Sequence, residues 1–346
     1  MPRGFARITS RWAVALALAT VAAASVTVVG QTPAASRGGS KTWTAPRTPD
    51  GHPDLQGVWD YRTITPMERP AELANKPTLT EQEVAAYERE QAITRDRDRR
   101  DGSAAADVAR AYNQFWWDYG TKVVGTRRTS LVIDPPDGRI PPMTPEGRAR
   151  FEARRAFQTT SAREEAGVGR GFDSWLDRPL AERCLLWGVA GPPMVPGPYN
   201  NNVQLFQTRD HVVIANEMIH EHRMIPLDGR PHIGGTIRQW MGDSRGRWDG
   251  DTLIVETTNF TNKTVFRGAT EQMRLTERFT RVAADTLLYE FTIDDPATFT
   301  KPWTASIPMT RSSELIYEYA CHEGNYSLEH ALGGARNQEK AAQSRK

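Results

Sequence analysis

Every second residue between Thr286 and Ile293 is large and apolar, and this alternation constrains the fold more than any other feature. The apolar residues are Leu287, Tyr289, Phe291 and Ile293, and the residues between them are Leu288, Glu290 and Thr292. Successive side chains of a β-strand point to opposite faces, so a period of two predicts a strand with one buried face. The segment therefore belongs to a sheet that covers a core.

Similar segments, separated by turns rich in Asp and Gly, fill the rest of the second half of the chain. We expect further strands at residues 203–207, 212–218, 220–226, 247–248, 253–258, 273–282, 303–309 and 314–320. Short loops such as Arg209-Asp210 join consecutive strands as hairpins. The pattern predicts a mainly β fold, built as an antiparallel β-barrel or sandwich.

Residues 79–119 are predicted to form a helical insert in the first half of the chain. The insert begins at a capping box, in which Glu83 follows Thr80 by three residues. Its second helix, residues 103–119, carries aromatic residues at helical spacing, and we expect them to face the core.

The remaining segments complete one domain at residues 51–340. Residues 130–143 predict a hairpin, and residues 328–343 predict a C-terminal helix that covers an edge or extends into solvent. Residues 31–50 are rich in Ser, Thr, Pro, Gly and Ala, a composition typical of a flexible linker.

Residues 1–30 have the layout of a secretory signal peptide. Arg3, Arg7 and Arg11 precede an apolar run, and small residues follow that run. The alternative is a transmembrane anchor, since the run is about long enough to cross a bilayer. Its alanine-rich composition and the small residues after it favour cleavage. We therefore expect a periplasmic or secreted protein with no integral membrane span after leader cleavage.

The charge balance excludes nucleic acid as an expected partner. The full chain has 44 Lys and Arg against 42 Asp and Glu, and three of the arginines lie in the signal segment. A nearly neutral mature chain offers no electrostatic attraction to a phosphate backbone.

Cys184 and Cys321 are the only cysteines of the chain. In an oxidising compartment, two cysteines far apart predict one disulfide. The alternatives are two buried thiols, or a metal pair that Cys321 forms with His322.

Two resemblances to known families add to these expectations. The stretch from Leu55 to Trp59, with Gly57 two residues before the tryptophan, resembles the G-x-W opening of lipocalins. This resemblance implies a calycin-like barrel in which Trp59 closes one end. The chain departs from lipocalins in its greater length and in the helical insert that follows Trp59.

The second resemblance extends over most of the chain after the leader. The segments TPDGHPDLQGVW, SLVIDPPDGRIPPMTPEG, IPLDGRPH, RQWMGDSRGRWDGDTLIVETTNF and YEYACHEGNY resemble an uncharacterised family of exported bacterial proteins. The resemblance implies export and a shared fold, and it implies no activity and no catalytic residue.

A His-x-His pair is the first candidate site. His220 and His222 are two residues apart, so on a strand they share a face and can bind one divalent metal ion, such as zinc. A third ligand is then required, and the candidates are His232, His322 and Glu323. The alternative is that His220 is a hydrogen-bonded structural residue and His222 lies in solvent.

Glu277 is the second candidate, because the alternation of residues 273–282 places it among apolar side chains. A buried carboxylate needs a partner, and Arg223, Arg238 or Arg267 can supply it. Together with His220 and Arg238, Glu277 suits acid–base catalysis. If the strand is bent or lies at an edge, Glu277 is in water instead.

Three functions remain open, in this order. The first is the binding of a small polar or aromatic ligand in a barrel or cleft, with Trp240, Arg223, Asp243 and His322 as contacts. The second is an exported hydrolase or lyase assisted by a metal ion or by carboxylates. The third is a structural module of the cell envelope.

Overall fold

The structure is a computed structural model that describes residues 43–109, 113–153, 171–187, 190–262 and 266–345, without the side chains of residues 108, 109 and 220. The predicted signal peptide and residues 31–42 of the predicted linker lie outside the described residues. Residues from Trp43 onward belong to one compact unit, which includes residues 43–50 of the predicted linker. Ala45 is buried, and Arg47 forms an ion pair with Asp251 at 2.6 Å.

Ten strands form one sheet in which every ladder is antiparallel, as the mainly β prediction requires. The strands are β1 Gly57–Asp60, β2 Val132–Asp134, β3 Asn202–Gln207, β4 His211–Asn216, β5 His222–Pro226, β6 Asp243–Asp249, β7 Thr252–Thr258, β8 Arg274–Ala283, β9 Thr286–Asp294 and β10 Trp303–Ser312. Their order is β5-β4-β3-β1-β10-β9-β8-β7-β6, and β2 pairs with β10 outside this path.

The sheet curls around one core. Its two end strands, β5 and β6, lie next to each other, and Arg223 on β5 reaches Glu277 on β8 across the inner face. The predicted alternation in β9 is confirmed, because Leu287, Tyr289, Phe291 and Ile293 are all fully buried. Burial of each such side chain contributes about 1.5–3 kcal/mol. Trp59 and Trp303 fill the same core.

Four α-helices lie in the described ranges. They are α1 Glu81–Arg95, α2 Ala104–Ala109, α3 at residues 145–153 and α4 Ser327–Gln343. The predicted capping box is present at the start of α1, and the C-terminal helix is confirmed as α4. No helix in these ranges has the length and apolar character that crossing a bilayer requires.

The predicted second helix of the insert is too long. The described part of the α-helix is Ala104–Ala109, and the backbone of Asn113 is extended. Phe115 and Trp116 belong to a short 3-10 turn, and they are 81% and 62% exposed. The two rings pack edge to face on each other rather than on the core. Helical spacing alone therefore assigned them wrongly to a buried face.

One predicted hairpin and one predicted strand are also wrong. Residues 130–143 do not form a hairpin, because prolines at 135, 136, 141 and 142 remove the donors that a second strand needs, and β2 pairs with β10. Residues 314–320 form no strand. They follow β10, whose edges are already paired with β1, β2 and β9.

Cys184 and Cys321 form the predicted disulfide. It ties the segment before β3 to the segment between β10 and α4, so no cysteine is left for a Cys–His metal pair.

Candidate functional site

A buried polar network lies inside the curled sheet. The Arg223 guanidinium donates two hydrogen bonds to the Glu277 carboxylate, at 2.6 and 2.9 Å, and the Tyr289 hydroxyl donates a third at 2.8 Å. The backbone N–H of Met194 donates to the Tyr289 hydroxyl at 3.1 Å. Burial and the Glu277 charge raise the pKa of Tyr289 well above its usual value. Glu277 is thus buried, and its partner is Arg223 rather than Arg238 or Arg267.

The predicted catalytic set of His220, Glu277 and Arg238 is not brought together as a group. Glu277 is fully buried in the core, whereas Arg238 lines a cleft at the surface. The side chain of His220 lies outside the described residues. The buried network holds β5 to β8 from inside, and we treat it as part of the fold.

A second polar group surrounds His232, in the loop between β5 and β6. His232 Nδ1 lies 2.8 Å from Asp243 Oδ2, and that oxygen also accepts from the backbone N–H of Ile233 at 3.1 Å. The Arg245 guanidinium donates to the other carboxylate oxygen at 2.7 Å and to the Pro231 carbonyl at 3.0 Å. His232 is therefore held by hydrogen bonds on its ring and on both neighbouring residues.

The tautomer of His232 follows from these contacts. Asp243 accepts hydrogen bonds from a cation and from a backbone N–H, as an ionised carboxylate does. His232 Nδ1 then carries a proton, and in the neutral tautomer with this proton Nε2 is the acceptor. Among the described residues, none forms a hydrogen bond with Nε2 of His232.

A backbone feature at Gly242 and the side chain of Asn259 position Asp243 and the loop. Gly242 has a φ of +70°, and a Cβ there would lie 2.5 Å from the Thr258 carbonyl oxygen, so the turn into β6 requires glycine. Asn259, at the end of β7, donates from its side-chain amide to the carbonyls of Ile233, Gly234 and Ile237. One side chain thus fixes the loop that carries His232.

His232 lines a surface cleft of about 690 Å³ beside β7 and β8, which we name the His232 cleft. Its wall is formed by His232, Arg238, Glu256, Thr257, Thr258, Asn259, Glu271, Gln272, Met273, Arg274, Leu275, Thr276, Asp294 and Pro296. Arg238 donates to the Glu271 carbonyl at 2.9 Å, which fixes the cation at the cleft.

The other predicted contacts lie elsewhere. His222, on β5, has an exposed side chain. Trp240 is 36% exposed and does not line the His232 cleft. His322 follows the disulfide cysteine Cys321. Arg223 belongs to the buried network.

The described residues include no group of three or more His, Cys, Asp or Glu side chains placed to hold a metal ion. His220 is not covered by this finding. His232, a predicted metal ligand, has its Nδ1 occupied by Asp243.

Two residues of the site were not anticipated, Arg245 and Asn259. Arg245 lies two residues after Asp243, so on strand β6 the two side chains share a face. This spacing is the sequence feature from which their ion pair could be predicted. Asn259 has a left-handed φ of 60°, a conformation that asparagine adopts more readily than most residues.

Comparison with protein-family models, with curated proteins and with solved structures finds no match to this chain. The geometry of the site is therefore the basis on which a function is proposed for this chain.

Proposed function

We propose that this chain binds a small, hydroxyl-rich polar molecule, such as a short saccharide, in the His232 cleft. The observation that carries the proposal is the fixed orientation of His232, whose Nδ1 is held by Asp243 while Nε2 is left to accept from a ligand. A volume of about 690 Å³ lies within the usual range of small-molecule sites.

The charges of the lining favour a neutral ligand. Arg238 and Arg274 bring positive charge to the wall, and Glu256, Glu271 and Asp294 bring negative charge. A hydroxyl group both donates and accepts, so a polyol can pair with either kind of group. A strongly charged ligand would meet its own charge on part of the wall.

The His232–Asp243 contact favours a second candidate function, an acid–base hydrolase or lyase acting in the same cleft. In this function Nε2 of His232 takes a proton from a water molecule or a substrate hydroxyl, and Asp243 stabilises the imidazolium that forms. Arg238, which also lines the cleft, would stabilise the negative charge that develops on the substrate.

We also propose that the protein acts outside the cytoplasm. The predicted leader and the Cys184–Cys321 disulfide support this, since disulfides persist in oxidising compartments. The mass of the protein recovered from the periplasm tests the proposal, because cleavage after the leader removes a defined N-terminal segment.

The finer architecture that we propose is a calycin-like barrel. Trp59 donates from Nε1 to the Leu55 carbonyl at 2.9 Å, and the Arg281 guanidinium lies 5.7 Å from the Trp59 ring centre. Arg281 also donates to the Asp54 carbonyl at 2.8 Å. These contacts support a Trp-closed end, and the adjacent end strands β5 and β6 support a closed seam.

A titration with a panel of mono-, di- and trisaccharides tests the function. The ring signals of His232 in nitrogen-15 NMR spectra should shift on binding, and His232→Ala should weaken the affinity about tenfold or more. His330→Ala, which removes an exposed histidine from α4, should leave it unchanged. Equal affinity in the wild type and His232→Ala would reject the cleft as the site.

The role of Asp243 separates the two candidate functions. Asp243→Asn should disturb the tautomer of His232, and Asp249→Asn, at the exposed end of β6, should not. If bound saccharides are converted to products by the wild type and not by Asp243→Asn, the acid–base function is favoured. Binding without conversion favours the binding function.

A further inference from the structure

A larger cavity, of about 910 Å³, lies at a different place in the fold, between the end of α1 and the loops that follow β1 and precede β8. We name it the Arg267 cavity. Its apolar wall includes Leu131, Phe151, Val195 and Phe266. Phe266 packs edge to face on Phe291, a core residue of β9, with ring centres 6.3 Å apart. The apolar wall thus continues the hydrophobic core.

The rim of the Arg267 cavity is positively charged. Arg95, Arg97 and Arg267 line it, against the single carboxylate of Asp96. Arg95 is bonded to the neutral Gln91 side chain at 2.9 Å. Arg97 donates to the Tyr119 hydroxyl at 3.2 Å, and Tyr119 also lines the cavity. In the described part of the chain, neither Arg95 nor Arg97 forms an ion pair with a carboxylate.

Arg267, whose side chain is 40% exposed, has no close carboxylate partner among the described residues. Among the described residues, the one carboxylate near its guanidinium is that of Glu68, at 3.9 Å, which is beyond hydrogen-bond distance. Glu68 instead accepts a hydrogen bond from the Ile140 backbone N–H at 3.0 Å. Burial lowers the pKa of Arg267. A partly desolvated guanidinium without a close acceptor favours the approach of an anion.

The backbone at Arg267 is strained, with a φ of +50°. A non-glycine residue pays a free-energy penalty in this conformation, and such residues concentrate at binding sites and active sites. Glycine would fit this conformation without the penalty, so the arginine at this position carries a local cost in stability.

We propose that the Arg267 cavity binds a small aromatic carboxylate, with its ring against Phe266 and Phe151 and its carboxylate at the arginine rim. The aromatic wall and the Arg267 guanidinium select these two parts of the ligand separately. The site shares no lining residue with the His232 cleft, so this inference is independent of the proposed function.

Calorimetric titration of the full chain with 4-phenylbutyrate tests the inference, with 4-phenyl-1-butanol as the uncharged analogue. We expect the acid to bind at least tenfold more tightly than the alcohol, and Arg267→Met to abolish this difference. Arg247→Met is the matched control, since Arg247 is exposed and its carboxylate partner Glu256 is also 3.9 Å away. Equal binding of acid and alcohol, or an unchanged difference in Arg267→Met, would overturn the inference.

A second variant separates binding from folding. Arg267→Gly removes the guanidinium and relieves the strained φ, so we expect a melting temperature equal to or above that of the wild type. The same variant should lose the preference for the acid. Retained preference for 4-phenylbutyrate in this folded variant would also overturn the inference.

Discussion

Arg223 and Glu277 form a bidentate ion pair inside the core, although 54 residues separate them in the chain and their strands are not neighbours in the sheet. The exposed fractions of the two side chains are 3% and 0%. An ion pair in this position gains from short, charge-assisted hydrogen bonds, but both groups lose their hydration. Removal of either partner alone leaves an uncompensated buried charge.

We therefore expect Glu277→Leu to lower the free energy of unfolding by about 3–5 kcal/mol, because Arg223 is then buried without its counter-charge. Urea denaturation followed by tryptophan fluorescence measures the loss. The double variant Arg223→Met/Glu277→Leu should recover much of it, since an apolar pair of similar size leaves no buried charge. Glu318→Gln, at an exposed position, serves as the control. A single variant as stable as the wild type would show that the pair is not enclosed.

The disulfide between Cys184 and Cys321 closes a loop with a sequence separation of 137 residues. Cross-links across long loops restrict the unfolded chain most, and removal of a natural disulfide costs about 2–5 kcal/mol. We expect the double variant Cys184→Ser/Cys321→Ser to melt at a lower temperature than the oxidised wild type. Calorimetry with and without reductant measures this, and the variant should not respond to reductant. A wild type that melts at one temperature under both conditions contradicts the expectation.

Glu83 makes the stability of α1 depend on pH. Its carboxylate pairs with Lys76 and accepts from the Thr80 backbone N–H at 2.8 Å, and these contacts lower its pKa from 4.5 to about 2. A group whose pKa is lower in the folded state stabilises that state above its unfolded pKa. The contribution is thus complete above pH 4.5 and is lost as the pH falls towards 2.

We accordingly expect Glu83→Gln to melt below the wild type at pH 7, and the difference to disappear as the pH approaches 2. Thermal melts at a series of pH values provide the measurement. Glu90→Gln, which removes a carboxylate elsewhere on α1, should show a smaller difference with no such trend. A difference between Glu83→Gln and the wild type that persists at pH 2 would argue against the charge as its cause.

Local patterns predicted the strands of the second half well, because alternation and turn residues act over a few positions. The order of those strands was beyond this reasoning. Strand β1 lies between β3 and β10, where Trp59 is opposite Val203 on one side and Arg311 on the other. Nothing in the sequence around Trp59 specifies partners that far along the chain.

The candidate site was predicted in pieces rather than as a whole. The sequence predicts His232 as a metal ligand and Asp243 as a contact to a small-molecule ligand. Their hydrogen bond depends on how the loop between β5 and β6 folds back. Asn259, the residue after β7, holds this loop in place through its side-chain amide. A long-range contact through an asparagine amide leaves no periodic signal, so the pairing of the two residues emerged only from the structure.

The seam between β5 and β6 provides the sharpest test of the curled sheet. A Cβ on Gly246 would lie 2.8 Å from Ile225 Cγ2 and 2.6 Å from Leu227 Cδ2. The leucine methyl can move by a rotation of its side chain, but Cγ2 of a β-branched isoleucine is fixed close to the backbone. Gly246→Ala should therefore force the two end strands apart and destabilise the protein by about 1–3 kcal/mol. Gly234→Ala is the matched control, because its Cβ would meet nothing within 4 Å. If the two variants unfold at the same urea concentration, β5 does not pack against β6 in solution, and the sheet must be open at this seam.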